Sequence, residues 1–440
     1  MEMNEILKEI SGYLEEHSSQ FYQISDEIYE YAELSKEEVK SAKALENLLG
    51  SFGFEIENTF EDLPTAFRAV KGNGEVKIGF LCEYDALPGL QQEPVPYPKG
   101  NGCSGHGCGH NLLGTGSAAA GIALAEIAEK HDLNITVVVY GTPAEERYSG
   151  KNLMAEAGAF KELDVCLGWH PLDRNDCGMT KFKAMSSFEV IFHGKKAHAC
   201  NCPELGRSAL DACELMNVGC NYLREHVDRD SYFHYCYTNG GEVPNIVPDL
   251  ASVWYYARAY TYDDMILLRE RMLEVARGAS IMTGTTFDYK ISGESRDNKL
   301  NLTLSKLAYE CMSQVGSPAF TQEDLDYSRQ VAANVDLEEA DGEFDNTVLR
   351  PSAERLVKDN GSSDISDVSW ITPTVNLYMT CYGRKTPNHS WAISAQVKTH
   401  AAHVGMLRAA KVLALMGANL AADQALLDKV KEEFANPLPL

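Results

Sequence analysis

Residues 102–117 read GCSGHGCGHNLLGTGS, and the reading of the whole chain turns on them. Cys108, Gly109 and His110 stand between glycines, just before an Ala-rich segment of helical character. Glycine lets a backbone turn tightly and lets bulky groups approach it. Thiolate and imidazole hold borderline-soft divalent metals. A loop carrying part of a metal site, opening into a helix, is therefore expected, with the missing ligands supplied from elsewhere in the chain.

Upstream, KIGFLC at 77–82 is a short apolar run between turn-forming segments, which suits a buried strand. It ends in Glu83-Tyr84-Asp85-Ala86-Leu87-Pro88, so two carboxylates fall at its carboxyl end, where open α/β sheets collect their sites. Downstream, 112–129 reads as a helix and ITVVVY at 135–140 as a central strand, which stops at Gly141-Thr142-Pro143 and delivers Glu145-Glu146 to the loop beyond. A further strand at 163–169 is followed by His170. Helices over 4–34 and 36–51, the second stopped by Gly50 and Gly53, precede this set.

From about residue 181 the pattern changes. Segments 186–192 and 251–258 alternate like half-exposed strands, and 207–226 and 263–280 read as helices. Strand, helix, strand, strand, helix, strand is the order of a small ferredoxin-like α+β sandwich. The expectation is a catalytic domain split over 1–181 and 294–440, with an inserted domain at 182–293. Helices resume afterwards, and the chain closes with the Asp364 region, the 386–391 segment and helices over 399–436.

A chain of 440 residues suits two cores rather than one. Its net charge of −25 should repel phosphate backbones and anionic lipid, so neither nucleic acid nor membrane is an expected partner. The acidic amphipathic start lacks the features of a signal peptide, and no run of about eighteen uninterrupted apolar residues occurs. The 12 cysteines are spread over a long chain, which favours reduced thiols and a cytoplasmic location.

A hydrolytic dimetal site needs several ligands and one unliganded base. Cys108, His110, Glu146 and His170 all fall near strand ends of one expected sheet. Adjacent glutamates point differently, so one of Glu145 and Glu146 can bind metal while the other stays free. Other chemistry fits less well. No GxSxG elbow is present, and Cys108 and His110 are too close in sequence to face each other as nucleophile and base. The 114–119 segment mimics a dinucleotide turn without directly following a strand. A structural zinc cage from Cys103, His106, Cys108 and His110, or a pair from Cys200 and Cys202, lacks the usual knuckle spacing.

The segments CEYDALPG, GHGCGHN, GTPAEE, GWHP, GKKAHA, GGEVPNIVPD and PNHSW, in this order and spacing, resemble the cocatalytic metallopeptidase family that includes aminoacylases, hippurate hydrolase and indole-acetyl-amino-acid hydrolases. GSSDISDVSWITPT and EAGAFKELDVCLGWHP are similar to its p-aminobenzoyl-glutamate hydrolase branch. The resemblance spans nearly the whole chain. It implies a zinc-peptidase-like mixed sheet flanked by helices, with the insertion as a dimerisation or lid domain, and a homodimer formed through it.

It also implies roles. Cys108, His110, Glu146, His170 and His389 match the family's metal ligands and Glu145 its general base, while Asp85 matches an Asp that supports a neighbouring ligand. His198 matches a histidine that stabilises the developing oxyanion, often from the partner subunit. Asn245 and Arg258 are placed to hold a substrate carboxylate, Arg258 with a strand-end salt bridge as its rival role. Glu83 stands where many relatives have Asp or His, and Asn111 where many have Asp. Two divalent ions are implied, zinc or manganese first, with cobalt or nickel also compatible with the ligand mixture. The implied reaction is hydrolysis of the amide bond of an N-acyl amino acid or dipeptide, p-aminobenzoyl-glutamate among them, by a metal-activated water with Glu145 as base. The alternative is a non-catalytic or co-catalytic subunit of a hetero-oligomeric hydrolase.

Overall fold

The apolar runs at Val76–Cys82, Ile135–Gly141 and Val165–Leu172 become adjacent strands, buried almost throughout. Continuous apolar character is what an interior strand covered on both faces requires. In the computed structural model, which describes residues 3–58 and 60–437, they form the middle of a six-stranded sheet. Its order is Glu55–Glu57, Phe67–Gly72, Ile135–Gly141, Val76–Cys82, Val165–Leu172, Thr374–Thr380. The first two pairings are antiparallel and the last three parallel, so the fold is mixed α/β.

Three of these strands go beyond the sequence expectation: the short Glu55–Glu57 and the two longer ones at Phe67–Gly72 and Thr374–Thr380. Phe67–Gly72 carries Arg68 and Lys71 on an otherwise apolar run, and Arg68 is satisfied by Glu57 and Glu162. Thr374–Thr380 falls where no strand is expected, and it lies parallel to Val165–Leu172. Because Thr374–Thr380 pairs with Cys166 through Leu172, His170 lies inside that strand rather than after it. Beyond Leu167 the strand has no pairing to Val76–Cys82, so Pro171, which has no N–H, costs no bond on that side.

The N-terminal helix expected over 4–34 is two helices, Met3–Glu16 and Ser18–Tyr31, and the next begins only at Val39. The break falls at His17, beside which Ser18 Oγ bonds back to Glu15 O and so competes with the helical ladder. The helix after the Gly-rich loop, His110–Lys130, packs on the sheet and against His400–Ala422. Contact is close enough that a Cβ at Gly116 would lie 2.6 Å from Trp169 Cζ2. His400–Ala422 is long and apolar, and most of its residues are buried as a core helix of this layer.

The second sheet is antiparallel throughout, in the order Thr286–Ser295, Ala184–His193, Leu250–Ala259, Tyr232–Asn239. Helices Ala209–Leu223 and Tyr262–Thr283 pack on it, burying Phe188, Phe192, Tyr255 and Met272 between them. Chain order here is strand, helix, strand, strand, helix, strand, and the sheet has its own apolar core.

Candidate active site

Parallel register aligns the strand ends that carry the candidate ligands. Cys82 pairs with Gly141, so Glu83 and Asp85 leave the sheet level with Thr142, and Glu145 and Glu146 follow on a one-turn helix. Ala144 precedes that turn in the left-handed region (φ 63°), and its N–H donates to Glu38 Oε1 at 2.8 Å. On the neighbouring strand His170 stands beside Tyr378. The Gly-rich loop closes over these ends through Gly109 (φ 85°), where a Cβ would lie 2.8 Å from Pro171 Cγ. His389 comes from the far loop and also has positive φ (52°).

Cys108, His110, Glu146, His170 and His389 are thereby brought together. Ligand atoms of Cys108, His110 and His170 lie within 4.8 Å of one another, as do those of Cys108, Glu146 and His389. Cys108 belongs to both sets. Cys108 Sγ is 3.3 Å from His170 Nε2, and Glu146 Oε1 is 3.5 Å from His389 Nε2 and 4.0 Å from His110 Nε2. Ligands on a common zinc ion stand roughly 3.3–3.8 Å apart, given bonds of about 2.0–2.3 Å. Two buried atoms of the set, His110 Nε2 and Glu146 Oε1, have no hydrogen-bond partner. Leaving such groups unsatisfied costs about 1–3 kcal/mol each, and a cation satisfies both at once. The residues present fit a metal.

Hydrogen bonds set which atoms face the centre. His110 Nδ1 is 3.0 Å from Asp85 Oδ1, which leaves Nε2 for a ligand. Asp85 Oδ2 accepts from Ser35 Oγ at 2.8 Å and from the Glu146 backbone N–H at 3.0 Å, so one buried carboxylate orders two candidate ligands. His170 Nδ1 contacts Pro171 O at 2.8 Å, again freeing Nε2.

Electrostatics follow from this crowding. Burial works against ionised Asp85, yet the bonds from His110, Glu146 N and Ser35 hold it down at about 2. Burial, then the charge of His110, lowers His170 to about 4, keeping it a neutral imidazole. Burial raises Glu145 well above the ordinary carboxylate range, helped by Glu83, Glu146 and Asp364.

Arg258 reaches the same cleft, a cavity of about 360 Å³ that also touches Cys108, Glu145, His170 and His389. It donates to Ser362 Oγ at 2.7 Å rather than pairing with a carboxylate. His198 and Asn245 are not brought there. Both are exposed on the second sheet's loops, where His198 pairs with Ile246 and its Nδ1 accepts from the Cys200 and Asn201 N–H groups. Asn245 O accepts from Ala199 N. Of the rival cage, Cys103 is exposed and His106 is buried against Ile28 O at 3.0 Å. A larger cavity of about 790 Å³ lies beside Tyr327 and His400 and holds none of the candidate ligands.

Sequence reasoning passed over Lys151. It is wholly buried beside the site, 2.6 Å from Glu83 Oε1 and 2.5 Å from Asp364 Oδ1. No periodicity marks a lysine that folds inward.

The sequence pattern of peptidase family M20/M25/M40 matches residues 79–315, and the chain belongs to that family. It is an amidohydrolase of this class, with its candidate metal ligands gathered at the strand ends. Among individual relatives, a p-aminobenzoyl-glutamate hydrolase subunit of Escherichia coli (strain K12) is 36% identical, over 98% of this chain and 95% of that protein. Xaa-Arg dipeptidase of Mus musculus is 31% identical, over 84% of this chain and 78% of that one. Among solved structures, an aminobenzoyl-glutamate utilization protein from Klebsiella pneumoniae superposes with a TM-score of 0.61 at 17% identity, covering 90% of this chain and 98% of that one. A dinuclear metal-binding M20 peptidase from Bacillus subtilis does so with a TM-score of 0.58 at 18% identity, covering 93% and 99%. At these identities the superpositions speak for the fold.

Proposed function

We propose that the chain hydrolyses the amide bond of an N-acyl amino acid or dipeptide of the p-aminobenzoyl-glutamate kind, using two divalent ions and Glu145. The observation that carries this reading is the pair of ligand sets sharing Cys108, with His110 Nε2 and Glu146 Oε1 buried and unsatisfied beside Glu145. Cys108, His110 and His170 would hold one ion, and Cys108, Glu146 and His389 the other. Bound there, divalent ions act as Lewis acids on the scissile carbonyl and acidify the attacking water.

The chain's own groups do the rest. Glu145 takes the proton from the water and returns it to the leaving amine, serving as base and then as acid. Asp85 keeps His110 in the tautomer whose Nε2 is free. Arg258, with Ser362 rather than a carboxylate beside it, binds the substrate carboxylate. Zinc or manganese suits a set with one thiolate, three imidazoles and one carboxylate, and cobalt or nickel is also compatible.

His198 and Asn245 enter this reading through a second copy of the chain, because both lie outside the cleft of their own. The unit over 182–293 then acts as the dimerisation and lid domain of a homodimer, with His198 offered to the partner's oxyanion. A cytoplasmic location accords with 12 unpaired cysteines.

The test is Glu145→Gln, assayed on N-acyl amino acids and dipeptides with zinc or manganese added. Metal content is expected to stay at the wild-type level while turnover falls by at least about a thousandfold. Near-normal turnover would remove Glu145 from its role.

A further inference from the structure

Glu83 lies at the metal-facing end of a buried chain of charges that the proposed reaction does not use. Lys151 is fully buried, with its Nζ 2.5 Å from Asp364 Oδ1 and 2.6 Å from Glu83 Oε1. Asp364 is fixed in turn, its Oδ2 accepting from the Lys151 backbone N–H at 2.8 Å. One oxygen of Glu83 is therefore tied. The other, Oε2, stands 3.2 Å from His110 Nε2, yet the two make no hydrogen bond of acceptable geometry.

That combination is informative. His110 Nε2 is completely buried and unpartnered, with its other nitrogen already committed to Asp85. A nitrogen and a carboxylate oxygen about 3.2 Å apart and not aimed at each other are spaced as two ligands of one ion. Glu83, His110 and Glu145 also have ligand atoms within 4.8 Å of one another.

We propose that Lys151 is a positioning residue: together with Asp364 it ties down one oxygen of Glu83 and so presents the other to the ion held at His110. Glu83 thereby becomes a further carboxylate donor for that ion. The lysine matters because a free glutamate has several rotamers, and fixing one removes the ordering cost from the metal-binding step. This inference rests on the dinuclear reading above and adds Glu83 and Lys151 to it.

The test is Zn²⁺ titration of chelator-treated full-length protein by calorimetry, with ions per chain counted by elemental analysis and folding followed by circular dichroism. The proteins are wild type, Glu83→Gln, Lys151→Met and the double variant. Glu83→Gln and Lys151→Met are each expected to weaken one of the two ions about tenfold or more and to leave the other unchanged. The double variant is expected to match Glu83→Gln alone, because the lysine acts through that glutamate. Wild-type affinity for both ions in Glu83→Gln or Lys151→Met would overturn the proposal, as would a loss in the double variant equal to the sum of the singles.

If Lys151→Met does not fold, Asp364→Asn is the substitute. It keeps the lysine and Glu83, and it should weaken the same ion, with wild-type affinity again counting against the proposal. Wild-type protein that takes up fewer than two ions would instead defeat the dinuclear reading itself.

Discussion

Asp367 shows how one side chain can make stability depend on pH in this protein. It is buried, with Oδ1 accepting from Asn152 Nδ2 at 3.1 Å and Arg296 N at 3.2 Å, while Oδ2 has no partner. Burial, with Asp364 nearby, raises its pKa from 3.8 to about 7. Below pH 3.8 the acid is neutral in both folded and unfolded chains, and its contribution to stability is fully present. As pH rises towards 7 the unfolded chain ionises freely while the folded one resists, so stability is lost across that window, on the order of a few kcal/mol, and then levels off. Asp367→Asn keeps both acceptor contacts and does not titrate. Its melting temperature relative to wild type should rise between about pH 4 and pH 7 and stay constant above. A difference independent of pH would show that Asp367 ionises normally in the folded protein.

Among the helices, glycine has two opposite meanings, and the surroundings separate them. At Gly116 in His110–Lys130, an added Cβ would meet Trp169 Cζ2 at 2.6 Å and Met406 Cγ at 3.1 Å. Both neighbours belong to the packed interior, since Trp169 and Met406 are buried. Gly116→Ala should therefore destabilise by about 1–3 kcal/mol through overpacking. Gly12 in Met3–Glu16 has open space where its Cβ would be, so Gly12→Ala should stabilise by about 0.5–1 kcal/mol through backbone entropy and helix propensity. Denaturant unfolding of both variants checks the pair, and equal signs would contradict it. In sequence the two are alike, each a glycine in a helical segment. Only the neighbouring layer distinguishes them.

For the molecule as a whole, the proposed role of His198 can be tested only with a second copy, because the residue is exposed outside the cleft of its own chain. If it serves the partner's cleft, mixing Glu145→Gln chains with His198→Ala chains gives hybrid dimers in which one cleft has both groups intact. Random exchange would then restore about a quarter of wild-type activity from two nearly inactive proteins. No recovery after verified exchange would place the oxyanion donor elsewhere. The exposed strand Tyr232–Asn239 at the edge of the second sheet, with Tyr232 and Tyr237 outward, is where such pairing has surface available.

The sequence by itself pointed to the strands at 77–82, 135–140 and 163–169, and in the second sheet to those at 186–192 and 251–258, because apolar runs and alternation report burial directly. It also singled out Cys108, His110, Glu145, Glu146 and His170 as candidates, because thiol, imidazole and carboxylate groups fall together near expected strand ends and on the loop between them. It did not show Phe67–Gly72, whose charged residues disguise it, or Thr374–Thr380, whose partner lies some two hundred residues earlier. Tertiary structure alone decided the partners. It left His198 and Asn245 outside the cleft, tied Arg258 to Ser362, and enclosed Lys151 between Glu83 and Asp364. A buried ion pair leaves no periodic trace along the chain, because its members meet only when separate elements pack, and the cost of burying each charge is offset by the other.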